Sequence, residues 1–503
     1  MAVGSQRPRK TSRPEVDDLV VHLADPKLGG EQVVGTMRHQ RARGISVISF
    51  AYDEPWVRGP NVFQLDKQVP LGLGDQYPPT LPGVIADTSP DRWGTILMER
   101  REAQLAAEEG RKPRTLEAWD LLIRVNDETR MGALRFATMD AVFLASDPRP
   151  VPPMARLREL EQIAAEVEAG GPLRASTEEL LDLVAPGSSL GGNRPKANFR
   201  DDDGILWIAK FPSNNDRWDV GAWEYLLNQL APAAGITVAP TKLLGPYTSG
   251  YHTFASQRFD RSGAERRLFA SAMTVAGKQD HTDASYLDIA SAIIDNGDPG
   301  AIDADLEQLF RRLVFNILVG HRDDHLRNHG FLREPKGWRL APVYDLNPRP
   351  DMKSHVLAID GGRLHEPDLK AVIETAALYR LNPQRAGAIV DEVRGAIAPW
   401  RKEATRQSIR SSEIEVIAAA FPAGDSARGI GDQRYARTGR RRSMPANGTR
   451  TPGAANAGGE KRSHWGPLLV AKPPGPDRAL RPVEMGEGRT PRPRPLTVSR
   501  LRA

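Results

Sequence analysis

Apolar and polar positions alternate over short distances in the first part of the chain. Between residues 19 and 138, apolar runs such as 45–52 and 62–65 are separated by Gly, Pro and Asp. Runs of this length and spacing predict a small β-rich unit. In the same region, Ser89 followed by Pro90 predicts the start of a helix with Ser89 as its cap.

Longer amphipathic stretches follow this unit. Apolar residues recur at helical spacing from residue 157 to residue 167, which predicts an amphipathic helix. Ser176 and Glu179 have the spacing of a capping box, so we expect a second helix to begin there.

The charge of the chain is concentrated in its last part. The 503 residues carry a formal net charge of +5, but residues 421–503 hold 17 Lys or Arg against 6 Asp or Glu, so this tail carries +11 and the rest −6. A mildly acidic body argues against direct DNA or RNA binding by the globular part. Cysteine is absent, which excludes disulfides and thiolate metal sites. Without a long apolar run or a signal-peptide core, we expect a cytoplasmic protein with no membrane span.

A glycine-containing turn over residues 187–196 contains the first residues with recognisable chemistry. Gly191 and Gly192 precede Lys196 and an apolar run. Paired glycines let backbone amides approach phosphate oxygens, and a nearby lysine adds a compact positive charge. A hairpin loop is the commoner meaning of such a segment, and the residue order is not that of a Walker loop.

Lys210 lies near the end of a predicted strand over residues 205–211, on the same face as the apolar side chains. A lysine that faces inward needs an anionic partner. The next predicted helix, residues 220–230, carries Glu224 at the margin of its apolar face. We therefore expect a Lys210–Glu224 pair, which is how kinases hold the α- and β-phosphates; a snorkelling lysine is the alternative.

A predicted buried helix over residues 305–320 is followed directly by the sequence H-R-D-x-x-x-x-N. This sequence, residues 321–328, matches the protein-kinase catalytic loop in residue type and spacing. In that loop the aspartate, here Asp323, accepts the hydroxyl proton, and the asparagine, here Asn328, holds magnesium.

A second acidic residue follows a predicted β-hairpin over residues 330–341. A hairpin returns the chain to its starting point, so Asp345 can arrive beside Asn328. Together these two residues would complete an oxygen-rich magnesium site.

Two other interpretations of the 321–329 segment remain open at this point. One is a charged surface loop, and the other is a metallohydrolase site. The side chains that could bind a transition metal in such a site are His321, Asp323, Asp324, His325 and His329. The offset of Asn328, the position of Asp345 and the upstream Lys210–Glu224 pair favour a kinase, because a hydrolase needs none of them.

In combination these motifs resemble the HipA family of toxin kinases from bacterial toxin–antitoxin systems. The resemblance covers about residues 19–420. The motifs stand in the family's order: Gly-Ala-Leu-Arg-Phe (132–136), a serine–glycine loop ending in Pro-Lys (195–196), Lys-Phe-Pro (210–212), Arg-Phe-Asp-Arg (258–261), D-x-H-x-x-N (323–328) and Tyr-Asp-Leu (344–346).

The resemblance implies an α+β, protein-kinase-like fold with two lobes, a β-rich N-terminal subdomain and a mostly helical C-lobe. With the composition it gives five segments: a disordered basic N-terminus (1–14), the N-terminal subdomain (15–140), a kinase N-lobe with phosphate loop and hinge (141–265), a helical C-lobe with the catalytic loop (266–422), and a disordered basic tail (423–503).

The resemblance also implies an ATP- and Mg²⁺-dependent serine/threonine kinase. Asp323 and His325 would serve catalysis, and Asn328 and Asp345 would bind the metal. The residues implied at the nucleotide are Ser189, Gly191, Gly192, Lys196, Lys210, Glu224, Gln257, Phe259 and Asp260. A loop serine, Ser189 with Ser188 beside it, would be autophosphorylated, and the added charge of about −1.5 to −2 would oppose ATP binding.

The implied partners are a protein substrate, such as a translation component, and a HipB-like helix-turn-helix antitoxin. DNA would be contacted only indirectly, through the antitoxin. The alternative function is a catalytically inactive nucleotide-binding scaffold or corepressor that acts with such an antitoxin.

Overall fold

A computed structural model describes most of the chain up to residue 421. The described residues are 17–42, 45–145, 151–171, 173–176, 179–180, 183, 192, 194–279, 283–362 and 364–421. The predicted disordered segments 1–14 and 423–503 lie outside these residues, as do Ser188, Ser189 and Gly191.

A four-stranded antiparallel sheet forms the centre of the N-terminal region. Its strands are β1 (Asp18–Asp25), β2 (Gly30–Ala42), β3 (Ile45–Tyr52) and β4 (Leu134–Ala137), in the order β3-β2-β1-β4. Alternate residues of β1 are fully buried, as a sheet with one covered face requires. The predicted β-rich unit is therefore present, although residues 62–65 form no strand, since the Leu65 amide bonds to the Tyr52 hydroxyl and not to a neighbouring strand.

Four helices accompany this sheet: α1 (Glu54–Arg58), α2 (Gly83–Ala86), α3 (Arg92–Glu108) and α4 (Ala118–Arg124). The prediction that Ser89 caps α3 is wrong. Asp91 has extended backbone, and its side chain accepts a hydrogen bond from the amide of Gly94, so it is the N-cap. The Ser89 hydroxyl is buried without a hydrogen-bond partner among the described residues.

A second four-stranded antiparallel sheet lies between residues 196 and 257. It consists of β5 (Lys196–Arg200), β6 (Leu206–Lys210), β7 (Thr241–Leu244) and β8 (Thr253–Gln257), in the order β5-β6-β8-β7. Helix α5 (Leu157–Ala169) precedes it and α6 (Val220–Leu230) follows β6. Both helices were predicted from apolar spacing.

The core of this second sheet is shared with the N-terminal region. Trp93 and Leu97 of α3 belong to the same buried cluster as Leu160 of α5 and Phe199 and Trp207 of the sheet. Helix α3 is therefore held against β5 and β6 by apolar burial, which is the main stabilising term in folding. As a result, the first turn of α3 lies beside the start of β5, where Trp93 Nε1 donates to the Lys196 carbonyl at 3.1 Å.

The remaining described residues form a mainly helical region with short strands. The strands are β9 (Arg261–Ser262), β10 (Glu265–Arg266), β11 (Phe269–Ser271), β12 (Gly330–Glu334) and β13 (Gly337–Leu340). The helices are α7 (Ala272–Ala276), α8 (Tyr286–Asn296), α9 (Ile302–Val319), α10 (Leu369–Glu374), α11 (Pro383–Ile397), α12 (Trp400–Arg406) and α13 (Ser411–Ala418). The predicted α+β class is confirmed.

Helix α9 is the central element of this region and sets where the catalytic-loop sequence begins. Its apolar side chains are buried, and truncating one of them, such as Leu313, to alanine would cost about 2–5 kcal/mol of stability. The helix stops at Gly320, which has a left-handed φ of 67°. A Cβ atom there would lie 2.4 Å from the Ala420 carbonyl oxygen, so glycine suits both the turn and the close contact.

The predicted hairpin after the loop is also present. Strands β12 and β13 pair antiparallel, and the Ala341 amide then bonds to the Gly330 carbonyl at 2.8 Å. The Tyr344 hydroxyl donates to the Arg327 carbonyl at 2.6 Å, so the chain has returned to the catalytic-loop segment just before Asp345. No helix among the described residues is long and apolar enough to cross a membrane.

Candidate active site

A cavity of about 460 Å³ is lined by the second sheet, the start of α6 and the segment after α9. Most of its lining is charged. The basic side chains are Arg194, Lys196, Lys210, Arg217 and Arg349, and the acidic ones are Asp216, Asp323, Asp345 and Asp351. Lys210, Asp323 and Asp345, which the motifs predicted to act together, therefore face one cleft.

Lys210 contacts two carboxylates at once. Its ammonium lies 2.5 Å from Glu224 Oε1 and 2.5 Å from Asp345 Oδ1. The predicted pair with Glu224 is thus present, because α6 turns Glu224 towards the end of β6. Burial acts to lower the pKa of Lys210, but the two carboxylates outweigh it and raise that pKa.

One ammonium group between two carboxylates leaves an excess of negative charge. Glu224 is the more buried of the two, and burial raises its pKa in spite of Lys210. Burial opposes ionisation of Asp345 as well, but Lys210 lowers the pKa of Asp345 to about 2. Asp345 is therefore ionised at neutral pH and available to a cation.

Asp345 has unusual backbone geometry for a residue with a side chain. Its φ is 62°, in the left-handed region that Asp tolerates better than most non-glycine residues. Such conformations store about 1–3 kcal/mol of strain and persist where the surroundings fix them. Here the Lys210 contact and the Asn347 amide, 3.4 Å from Asp345 Oδ1, hold the carboxylate at the cavity wall.

Asp323 is the most accessible of these acids, with 49% of its side chain exposed. Its carboxylate accepts a hydrogen bond from Arg349 Nη1 at 2.8 Å, and the same guanidinium also binds Asp351. The side-chain amide of Asn328 donates a hydrogen bond to the backbone carbonyl of Asp323 at 3.2 Å. The other amide atom, Asn328 Oδ1, is buried and has no hydrogen-bond partner among the described residues.

Asp324, the next residue, has the opposite environment. It is 2% exposed and accepts hydrogen bonds from the Tyr286 hydroxyl at 2.5 Å, the Asn316 amide at 2.9 Å and His329 Nε2 at 2.9 Å. Asp324 and His329 thus bind each other inside the scaffold. No cluster of three or more His, Asp and Glu side chains placed to hold a metal ion occurs in the described part of the chain.

A second, narrower cavity of about 20 Å³ is lined by Gln257 and Phe259, which were predicted to contact the nucleotide. These residues belong to the segment 257–261, called the hinge below. Ile208 and Tyr344 form part of its apolar wall, and Lys210 and Asp345 border both cavities. The slot has room for about one water molecule. An adenine ring would enter it only as the lining side chains move apart.

Asp260, predicted near the nucleotide, lies elsewhere. It is fully buried and lines neither cavity. Its carboxylate binds Arg258 Nε and Nη2 at 2.7 Å, Arg261 Nη1 at 2.6 Å and the Gly132 amide at 2.7 Å. Burial would raise its pKa, but the two guanidinium groups hold the pKa well below its usual range. Asp260 therefore belongs to the scaffold that joins the hinge to the N-terminal region.

Three further predicted residues, Gly192, Lys196 and His325, do not all lie at the cleft. Lys196 and Gly192 line the larger cavity, and the Lys196 ammonium lies 3.3 Å from the Gly192 carbonyl. His325 is half-buried at the start of the short turn Leu326–Asn328 and lines neither cavity. Its catalytic role stays a prediction.

The residues at the site that were missed from sequence include Asp91, Asn347 and Arg349. Asp91, the N-cap of α3, lines neither cavity but binds the ammonium of the cleft residue Lys196 at 2.5 Å. The sequence Ser-Pro-Asp-Arg-Trp at residues 89–93 predicted only the start of a helix. Asn347 and Arg349 follow Asp345 closely in sequence, and this proximity was the one available signal.

A protein-family model and solved structures match this chain. Residues 188–400 match the model of the HipA-like C-terminal domain family. Over this segment the chain is similar to HipA-like C-terminal domains. The match includes every element that lines the cleft from β5 to Arg349, whereas Asp91 lies outside it. A search of curated protein sequences finds no match.

Among solved structures, the chain is similar to HipA of Shewanella oneidensis in a complex with HipB and operator DNA. The two share 16% identity with a TM-score of 0.53, over 80% of this chain and 94% of that one. This likeness confirms the two-lobed fold expected of a HipA-like protein. The Helicobacter pylori proinflammatory kinase CtkA also matches, at 16% identity over 44% of this chain and 95% of that one, but its TM-score of 0.28 is too low to carry an argument.

Proposed function

We propose that this chain is a HipA-type serine/threonine protein kinase that transfers the γ-phosphate of ATP to a protein hydroxyl. The observation that carries this proposal is the Lys210 ammonium held between Glu224 and Asp345 in the cleft that Asp323 also lines. A lysine–glutamate pair beside a catalytic-loop aspartate is the arrangement that protein kinases use for phosphoryl transfer, in which positioning and charge neutralisation account for most of the catalysis.

Asp323 is the residue proposed to take the proton from the acceptor hydroxyl. Its half-exposed carboxylate can be approached by a protein substrate from the open side of the cleft. Arg349 donates to one of its oxygens, Oδ2, and so fixes the direction in which the carboxylate points. General bases placed in this way contribute about 10²–10⁴-fold to rate.

Asn328 and Asp345 are the residues proposed to hold Mg²⁺, and each carries an oxygen atom of the kind that ion prefers. Asn328 Oδ1 is a buried oxygen without a partner among the described residues, and Asp345 is an ionised carboxylate next to a surplus of negative charge. Carboxylate and amide oxygens are the ligands that Mg²⁺ prefers. When bound, the ion would neutralise charge that develops on the transferred phosphoryl group.

The nucleotide is proposed to lie along the two cavities. Lys210 and Lys196 would contact its phosphates, and the backbone of Gln257 and Phe259 would meet adenine once the narrow slot has widened. Ser189, with Ser188 beside it, remains the proposed autophosphorylation position. The added phosphate would repel ATP from the same basic residues that bind it.

A HipB-like helix-turn-helix antitoxin is the proposed partner. The support is the fold shared with Shewanella HipA, whose structure contains HipB and operator DNA. DNA contact by this chain would then be indirect, in keeping with the net negative charge outside the tail. A cytoplasmic protein of the translation apparatus is the proposed substrate class.

The direct test is incorporation of labelled phosphate from γ-labelled ATP by the purified chain, with and without Mg²⁺. We expect Mg²⁺-dependent labelling on serine, and we expect Asp323→Ala to lower it by at least about 10²-fold while the melting temperature stays the same. A matched control is Asp303→Ala, which removes an exposed aspartate paired with Arg380.

Equal labelling by the wild-type and Asp323→Ala proteins would refute the role of Asp323. Nucleotide binding without any transfer to itself or to candidate translation proteins would instead favour the inactive scaffold or corepressor.

A further inference from the structure

The Lys196 ammonium is held by a carboxylate that comes from outside the matched domain. Asp91 Oδ2 lies 2.5 Å from Lys196 Nζ, although the two residues are 105 positions apart in sequence. Both side chains are nearly inaccessible, with 3% of Lys196 and 4% of Asp91 exposed. A buried ion pair of this kind has a fixed geometry, because few solvent molecules compete for it.

Residues at the start of α3 contact both the side chain and the backbone of Lys196. Asp91 binds the ammonium, and Trp93 Nε1 donates to the Lys196 backbone carbonyl at 3.1 Å. Asp91 Oδ1 is engaged separately, since it caps α3 by accepting the Gly94 amide at 2.8 Å. The two oxygens of one carboxylate thus fix the helix and the lysine in a single arrangement.

Strand register shows why this contact matters to the cleft. Lys196 of β5 stands directly opposite Lys210 of β6 in the antiparallel pair, and both line the same cavities. Two ammonium groups on neighbouring strands repel each other unless each has an anionic partner. Glu224 and Asp345 supply that partner for Lys210, and Asp91 supplies it for Lys196.

We propose that Asp91 is a positioning residue of the nucleotide site, which holds the Lys196 ammonium where the phosphates bind. The N-terminal region would then contribute directly to recognition of a nucleoside polyphosphate, through a second lysine–carboxylate pair beside that of Lys210. This inference rests on the proposed kinase function. It extends the site beyond the HipA-like domain and assigns a residue that acts through Lys196.

The decisive variant is Asp91→Asn, because asparagine caps helices as well as aspartate and keeps the Gly94 bond, but it removes the charge that Lys196 needs. We expect this variant to bind ATP about tenfold more weakly than wild type, measured by calorimetry, and to bind adenosine equally well. A general loss of structure would weaken both ligands. Asp368→Asn is the matched control, since Asp368 is an exposed N-cap at α10, lines neither cavity and should leave both affinities unchanged.

A double-mutant comparison tests whether Asp91 acts through Lys196. The variant with both Asp91→Asn and Lys196→Gln should bind ATP no more weakly than Lys196→Gln alone. Additive losses, or an ATP affinity of Asp91→Asn equal to that of wild type, would overturn the positioning role while the kinase proposal stands. A wild-type protein that binds no ATP would overturn both.

Discussion

Two buried clusters of charged side chains in this molecule have net charges of opposite sign. At the hinge, one carboxylate, Asp260, is shared by the guanidinium groups of Arg258 and Arg261 and faces no cavity. In the cleft, one ammonium, Lys210, is shared by Glu224 and Asp345, and a cavity opens beside it. The first cluster has a surplus of positive charge and the second a surplus of negative charge.

The difference shows how a binding site is distinguished from a scaffold. Both oxygens of the Asp260 carboxylate already accept hydrogen bonds from protein donors, so this carboxylate has no free acceptor to offer a ligand. The cleft cluster keeps an ionised acid at the cavity wall, and Asn328 Oδ1, whose side chain contacts the Asp323 backbone, has no partner among the described residues. Both clusters are buried and charged. Polar atoms that lack a protein partner are what indicates a binding function.

The largest expected effect is on the hinge. Asp260→Asn would leave two buried guanidinium groups without their anion, and breaking a buried pair in this way costs about 3–5 kcal/mol. Urea unfolding measures this loss. Asp303→Asn, at an exposed pair, should change stability by less than about 1 kcal/mol. A similarly small change for Asp260→Asn would mean that the hinge cluster is not a scaffold.

The next effect is on catalysis in the cleft. Lys210→Met removes the positive charge shared by the two acids, and we expect the rate of phosphate transfer to fall about 10²–10³-fold, or about 3–4 kcal/mol of transition-state stabilisation. Lys242→Met is the matched control, because Lys242 is a partly exposed lysine of the same sheet that pairs with Asp201. Steady-state kinetics that give the two variants equal rates would contradict the role of Lys210.

A smaller effect concerns acid stability. The pKa of Asp345 is about 2 in the folded protein, below its ordinary value of about 3.9 in an unfolded chain. A lowered pKa contributes stability that is present above about pH 4 and is lost as the pH falls towards about 2, on the order of 2 kcal/mol. The difference in unfolding free energy between wild type and Asp345→Asn should therefore shrink across this window. A difference independent of pH would show that Lys210 does not hold Asp345 ionised.

The smallest effect is expected at the open edge of the cleft. The Arg349–Asp323 pair has side chains that are 32% and 49% exposed, so solvent screens it. Arg349→Gln should change the free energy of unfolding by less than about 1 kcal/mol in urea titrations. A loss above about 2 kcal/mol would place this pair with the scaffold at the hinge and not with the accessible side of the cleft.

Much of the secondary structure around the site followed from local patterns. Helix α6 has the predicted bounds, α9 ends at Gly320 as expected, and the hairpin β12–β13 precedes Asp345. In each case the signal is contiguous in sequence: apolar residues at helical spacing, a glycine at a left-handed C-cap, or a turn between short strands. Local free-energy preferences determine such features with little reference to the rest of the fold.

Residues whose environment depends on distant segments were harder to predict. Asp260 was expected at the nucleotide. Its carboxylate instead accepts a hydrogen bond from the amide of Gly132, 128 positions away, and this contact makes Asp260 part of the scaffold. Ser and Asp both favour the N-cap position of a helix. In the structure Asp91 and not Ser89 caps α3, and the second carboxylate oxygen of Asp91 binds Lys196. No periodicity in the sequence encodes these contacts.

The sequence by itself determined which residues could perform the chemistry: the catalytic-loop motif at residues 321–328, the lysine that ends β6 and the glutamate on the next helix. Only the tertiary structure decided which of them face a shared cleft and that Asp91 joins them. The physical reason is that residue type and spacing fix local geometry, whereas the partner of a buried charge is set by how separate elements pack. Apolar burial of α3 against β5 and β6 places Asp91 at Lys196, and that packing exists only in the folded chain.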